Sequence, residues 1–150
     1  LIIRVTERTA LARLADGPGG LPVLVDRDGY VLGLGRQSNL PLIRGAAEKG
    51  LGPGSVVREK QVLDALDVLE LCDNSRLGSV IHLQSIEVNR PDYLVLNLAG
   101  GETIQLGRDQ LKERLEKLVD LLKTNQEMGR SIKSVDLTVL RNIPVAYRTP

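Results

Sequence analysis

The sequence predicts an α+β fold, with a largely antiparallel sheet and two helices packed on one face. Three observations carry this expectation. Short apolar runs rich in β-branched residues follow one another at hairpin spacing, only two stretches repeat their apolar residues at helical spacing, and the connectors hold Asp-Gly, Pro-Gly or Gly-Gly. Neighbouring strands joined by short polar turns favour antiparallel pairing over helical crossovers.

Residues 1–14 read as an extended segment through Ile2, Ile3, Val5 and Thr6 and on to Leu11 and Leu14, and Asp16 to Gly20 as a loop. Val23-Leu24-Val25 and Tyr30-Val31-Leu32 flank Asp26-Arg27-Asp28-Gly29, whose Asp-Gly pair marks a hairpin. Gly33 to Asn39 is a polar connector, Leu40 to Gly45 a short strand, and Gly50 to Ser55 a loop ending in an N-cap residue. A helix is expected from about Val56 to Cys72 with Val62, Leu66 and Leu69 on its buried face. Strands follow at 80–89, 93–98 and 103–106. A second helix is expected from Asp109, as N-cap, to about Met128, with Gly129 in the C′ position. Its buried stripe is Leu111, Leu115, Leu118, Val119 and Leu122, while Lys112, Glu113, Glu116 and Lys117 face water. Ile132 to Val139 and Ile143 to Tyr147 close the chain as strands.

The 42% apolar content supports a core, and the absence of Phe and Trp makes it aliphatic. With 20 basic and 19 acidic residues interspersed, and few aromatics, the chain lacks the basic stripe and stacking platforms of a nucleic-acid binder. The single cysteine, Cys72, excludes an internal disulfide or a multi-thiolate metal site. No run reaches the roughly 18 apolar residues of a membrane span. The chain opens mid-pattern at Leu1-Ile2-Ile3 without an initiator Met, and reads as a piece of something longer.

Motif fragments do not assemble into chemistry. Gly33-Leu34-Gly35 imitates a dinucleotide fingerprint but runs into Leu40-Pro41 instead of a helix. Asp26-Arg27-Asp28-Gly29 resembles the start of a calcium loop, yet Gln37 stands where the bidentate acid belongs. His82, the one histidine, has no nucleophile elbow beside it and reads as a surface strand residue, and Cys72 reads as a small buried hydrophobe. Asp64 and Asp67 read as a solvated helix face. No catalytic, cofactor-binding or metal-binding residue is assigned, and neither a nucleic acid nor a small-molecule substrate is expected. What remains is the C-terminus. Pro144 has no N–H to give a ladder, so the last strand is expected at a sheet edge, where it either accepts an added strand or is guarded against doing so.

Several runs, in order along nearly the whole chain, resemble the FtsQ/DivIB family of bacterial cell-division proteins. Leu1 to Ala12 resembles the strand near the end of that family's POTRA domain, which leads to a Glu-Arg-x-Pro-x-Ala-like motif; Thr9-Ala10 stands where Pro is frequent. Leu24 to Leu32 resembles its Val-Asp-x-x-Gly hairpin, and Leu40 to Gly45 its Leu-Pro-x-Ile-x-Gly start to the β domain. Ile104 to Gly107 with the following helix, and Ser134 to Thr138 with Thr138 in place of Arg, resemble later family elements. The resemblance implies that residues 1–35 are the closing strands of a POTRA domain and 36–150 the β domain. It implies a non-enzymatic divisome scaffold, the periplasmic part of a single-pass inner-membrane protein whose transmembrane helix lies outside this chain. Its partners would be FtsB/FtsL-type proteins, bound by strand addition at Val139, Leu140, Arg141, Asn142, Ile143, Val145 and Tyr147. Tyr147 stands where relatives carry Trp, and Arg141 to Pro144 departs from a small-residue stretch expected there. The rival readings are another extracytoplasmic assembly or secretion accessory module with a POTRA-like element, and a hydrolase using His82 or Cys72.

Overall fold

The computed structural model describes residues 1–3, 7–15, 20–35, 39–74 and 76–149. Its strands are β1 (Ala12–Leu14), β2 (Val23–Val25), β3 (Val31–Leu34), β4 (Leu42–Arg44), β5 (Leu83–Glu87), β6 (Tyr93–Leu98), β7 (Thr103–Gly107), β8 (Ile132–Leu137) and β9 (Val145–Tyr147). The helices are α1 (Lys60–Asp73) and α2 (Leu111–Glu127), and a 3-10 turn spans Arg76–Ser79. One sheet runs in the order β3-β2-β1-β4-β5-β6-β7-β8-β9. Pairings β1–β4, β4–β5 and β7–β8 are parallel and the other five antiparallel, so the expected α+β, mostly antiparallel architecture is observed.

Alternation along the strands separates two faces. Leu94, Leu96 and Leu98 in β6 and Ile104 and Leu106 in β7 are buried, and they join Val62, Ala65, Leu66 and Leu69 of α1 and Leu115 and Leu118 of α2 in one aliphatic core. The three strands β1 to β3 contribute Ala12, Leu14, Val23, Val25 and Val31 to that core. The other face carries a register-matched row from Arg13 through Leu42, Ser85, Asn97, Thr103 and Ser134 to Ala146. On it, the Ser85 hydroxyl accepts from Asn97 at 3.0 Å and from Arg44 at 3.3 Å.

Several boundaries differ from those expected. Leu1, Ile2 and Ile3 are exposed and outside any strand, and among the described residues the first strand is Ala12–Leu14. Part of the expected 1–14 segment and most of the 16–20 loop lie outside the described residues. Gly33 and Leu34 belong to β3 instead of a connector. Helix α1 starts four residues later than Ser55 suggested, because Val56 and Val57 are used as strand-like residues. Val56 bridges Tyr30, and Val57 N–H donates to the Gly29 carbonyl at 2.8 Å. Residue pairs with branched Cβ atoms fit that extended pairing better than a first helical turn. Before β5, the segment from 80 is preceded by the 3-10 turn and only 83–87 is strand. Gly129 does close α2, with φ +70 and the paired N–H bonds of a Schellman motif from Gly129 to Gln126 and from Arg130 to Asn125.

Asp64 and Asp109 do not behave as expected. Asp64 is 3% exposed, not on a solvated face; its carboxylate accepts from Arg108 Nε at 2.7 Å and from Lys60 Nζ at 2.8 Å. The α2 N-cap is Gln110, with φ 50, and Asp109 instead receives the Arg114 side chain.

Candidate functional site

The C-terminal edge of the sheet is β9, paired on one side with β8 and, among the described residues, with no strand on the other. Its backbone polarity follows from two bonds. Asp136 N–H donates to the Pro144 carbonyl at 3.0 Å, and Arg148 N–H donates to the Ser131 carbonyl at 2.9 Å. Backbone groups alternate direction along a strand, so Pro144, Ala146 and Arg148 face β8 while Val145 and Tyr147 present their N–H and C=O groups outward. The missing donor of Pro144 is therefore a loss to the β8 ladder and leaves the outer rim with all its N–H groups. A proline that guarded the rim would stand at an outward-facing position.

The side chains sort by the same alternation. Val145 is paired with Val135, which is 2% exposed, so Val145 and Tyr147 lie on the helix-bearing face. Ile143 and Val145 pack against the core margin, and Tyr147 remains 43% exposed under the Arg130 guanidinium, which sits 5.7 Å from its ring centroid. Val139 is 41% exposed. Arg141 and Asn142 are exposed and Leu140 is half-buried. These four do not form a strand; β8 ends at Leu137, and the chain turns through Asn142, whose φ of 50 lies in the left-handed region. The expected surface is thus split. Val145 and Tyr147 form the strand, Ile143 adjoins it on the same face, and Val139 to Asn142 make the loop that leads to it.

The end of β8 is fastened by side chains to which the sequence reading gave no such role, and one of them, Arg114, it did not single out. Asp136 Oδ1 accepts the Thr138 N–H at 3.0 Å and the Thr138 hydroxyl, closing an Asx turn. The buried Arg114 guanidinium donates from Nη1 to the Leu137 carbonyl at 2.9 Å. Its Nε and Nη2 donate to the Asp109 carbonyl and carboxylate, each at 2.8 Å. The Arg114 bond holds the exposed Asp109 carboxyl below its usual range. A signal existed: Arg114 stands four residues before Leu118, on the same helical face as the buried stripe.

The other residues weighed for chemistry are scattered. His82 is exposed beside β5, and Cys72 is 7% exposed at the end of α1, where burial pushes its thiol up to about 11. Asp26 and Asp28 belong to the β2–β3 turn. Asp26 Oδ1 accepts the N–H groups of Asp28 and Tyr30 at 3.0 and 2.9 Å, and its other oxygen meets Arg8 Nη1 at 2.7 Å. Gln37 lies outside the described residues, and among those described no cluster of three His, Cys, Asp or Glu is placed to hold a metal. No described helix is long and apolar enough to cross a membrane.

A family model described as Cell division protein FtsQ/DivIB, C-terminal, matches residues 12–138. The match takes in every strand from β1 to β8 and both helices and stops before β9. A search of the curated proteins finds no match.

Proposed function

The chain belongs to the FtsQ/DivIB family of cell-division proteins, and from that premise we propose that it is a non-enzymatic divisome scaffold that captures partners by strand addition on β9. The observation that supports this reading is the outward set of Val145 and Tyr147 backbone groups on a rim that, among the described residues, pairs with no other strand. The partners are FtsB/FtsL-type proteins recruited to the septum. A partner strand would take register from those amides and carbonyls, and choice from the side chains of Ile143, Val145 and Tyr147, with Val139, Leu140, Arg141 and Asn142 flanking it. The family also supports placing the chain in the extracytoplasmic part of a membrane-anchored division protein. In this reading it is periplasmic, held by an inner-membrane helix outside this chain. Residues 1–35 are the closing strands of a POTRA domain and 36–150 the β domain, with β1 hydrogen-bonded to β4 across that boundary.

The test is a pull-down with a peptide from the FtsB-type protein of the same genome. The double variant Tyr147→Ala, Ile143→Asp should lose the peptide while keeping the circular dichroism spectrum of the unmodified chain. Retained binding in a folded double variant would place the partner elsewhere.

A further inference from the structure

We infer that Arg114 is a positioning residue for the partner edge, fixing where β8 ends and so which backbone groups of β9 face outward; this rests on the strand-addition reading above. Arg114 is 5% exposed and spends one arm on the last carbonyl of β8 and two on Asp109. The next residues are closed by the Asp136–Thr138 turn. The chain therefore leaves β8 from a pinned carbonyl in a set direction, and returns past Asn142 as a strand of only Val145–Tyr147. A strand that short has little pairing of its own to hold register, and a slip by one residue exchanges the inward and outward backbone groups. Pro144 weakens the β8 ladder further by offering no N–H on that side.

The guanidinium geometry suits this task. Its planar donors reach three acceptors on two elements at once, which a single ammonium does not. Gly107 makes room for it; a Cβ there would lie 2.7 Å from Arg114 Cζ. Two variants therefore disturb the same contact by different routes. Arg114→Met removes the donors, and Gly107→Ala displaces the guanidinium while leaving the arginine in the chain.

The experiment reads amide hydrogen exchange and affinity for the FtsB-type peptide together. Both variants should leave exchange at Leu96 and Ile104 unchanged, accelerate it at Ala146 and Arg148 by about tenfold or more, and weaken the peptide by about tenfold or more. A disulfide between Val135→Cys and Val145→Cys, in a Cys72→Ala background, joins a non-hydrogen-bonded pair whose Cβ atoms suit such a bridge. Added to Gly107→Ala or Arg114→Met, it should bring affinity to within about threefold of a chain that carries the same disulfide with Gly107 and Arg114 intact, because it supplies the register without the guanidinium. Unchanged affinity and exchange in both variants, or failure of the disulfide to restore binding, overturns the inference. If the unmodified chain does not bind the peptide, the strand-addition reading fails, and exchange at Ala146 and Arg148 alone decides whether Arg114 holds β9.

Discussion

Val145→Pro separates the rim from the rest of the fold. The Val145 N–H points away from β8, so its removal costs the β8–β9 ladder no hydrogen bond. The φ of proline is compatible with an edge strand such as β9, which begins at Val145. Val145 and Tyr147 each present one N–H and one C=O, and at about 1 kcal/mol net per bond the complete set supplies about 4 kcal/mol. That alone corresponds to a dissociation constant near 1 mM, about the weakest binding of interest, before the entropy of association is met. Val145→Pro deletes one donor and leaves a carbonyl of the added strand facing a ring, a cost of about 1–3 kcal/mol, or roughly 5- to 150-fold in affinity. Fluorescence anisotropy with a labelled FtsB-type peptide reads that loss, and urea unfolding should find stability changed by less than about 0.5 kcal/mol. Ala146→Pro is the contrast, because its N–H faces Ser134, so stability and affinity should fall together. Wild-type affinity in a folded Val145→Pro chain would refute strand addition on the outer rim.

Two further outcomes follow from buried groups. Burial alone would raise the Asp26 carboxyl, but the Arg8 guanidinium and the N–H groups of Tyr30 and Asp28 outweigh it and hold the folded pKa below the ordinary value. The unfolded chain then takes up the proton first, so the stability contributed by Asp26 is complete above the ordinary carboxylate range and is lost as pH falls through the lower folded value. Asp26→Ala should cost about 2–3 kcal/mol near neutrality, and urea titrations from about pH 6 to about pH 2 should show its gap to the unmodified chain closing at the acid end; a gap independent of pH would deny the ionised contact. Cys72, raised from 9.0 to about 11 by burial, should alkylate about 100-fold more slowly than a free thiol on thiolate fraction alone. Steric protection slows it further, so iodoacetamide labelling at about pH 8 should track urea unfolding; rapid labelling of the folded chain would contradict the buried placement.

The sheet and its turns were largely legible because their determinants are local. Asp26 to Gly29 carries its own turn chemistry, and Gly29 takes the positive φ of +83 that an Asp-Gly hairpin demands. Gly129 likewise ends α2 by itself. The start of α1 was hidden because Ser55-Val56-Val57 satisfies two local rules at once, and only the distant Tyr30 and Gly29 select the extended form. Asp64 was misread for the same reason. Its partner Arg108 is 44 residues away, and that arginine also donates to the Pro91 carbonyl, tying α1 to the β5–β6 turn. An acid at a buried helical position is tolerated where such partners exist, and nothing local announces them.

The edge was legible as an edge from Pro144, but the sense of that proline was not. Whether its missing N–H guards a rim or thins a ladder depends on a parity set by pairing, and parity changes with a single residue of register. That register descends from contacts between distant positions: Arg114 on the Leu137 carbonyl and Val135 beside Val145, with the Asx turn between them. The family match ends at residue 138, one residue beyond the carbonyl that Arg114 holds. What lies past that point takes its geometry from the matched region through this guanidinium and the β8 ladder, with Ile143 and Val145 packed on the core margin, Tyr147 under Arg130 and Arg148 donating to the Gly100 carbonyl. A surface on β9 is therefore specified by buried residues of α2 and β8 that no partner would touch, and changes at those positions should alter partner binding as surely as changes on the rim.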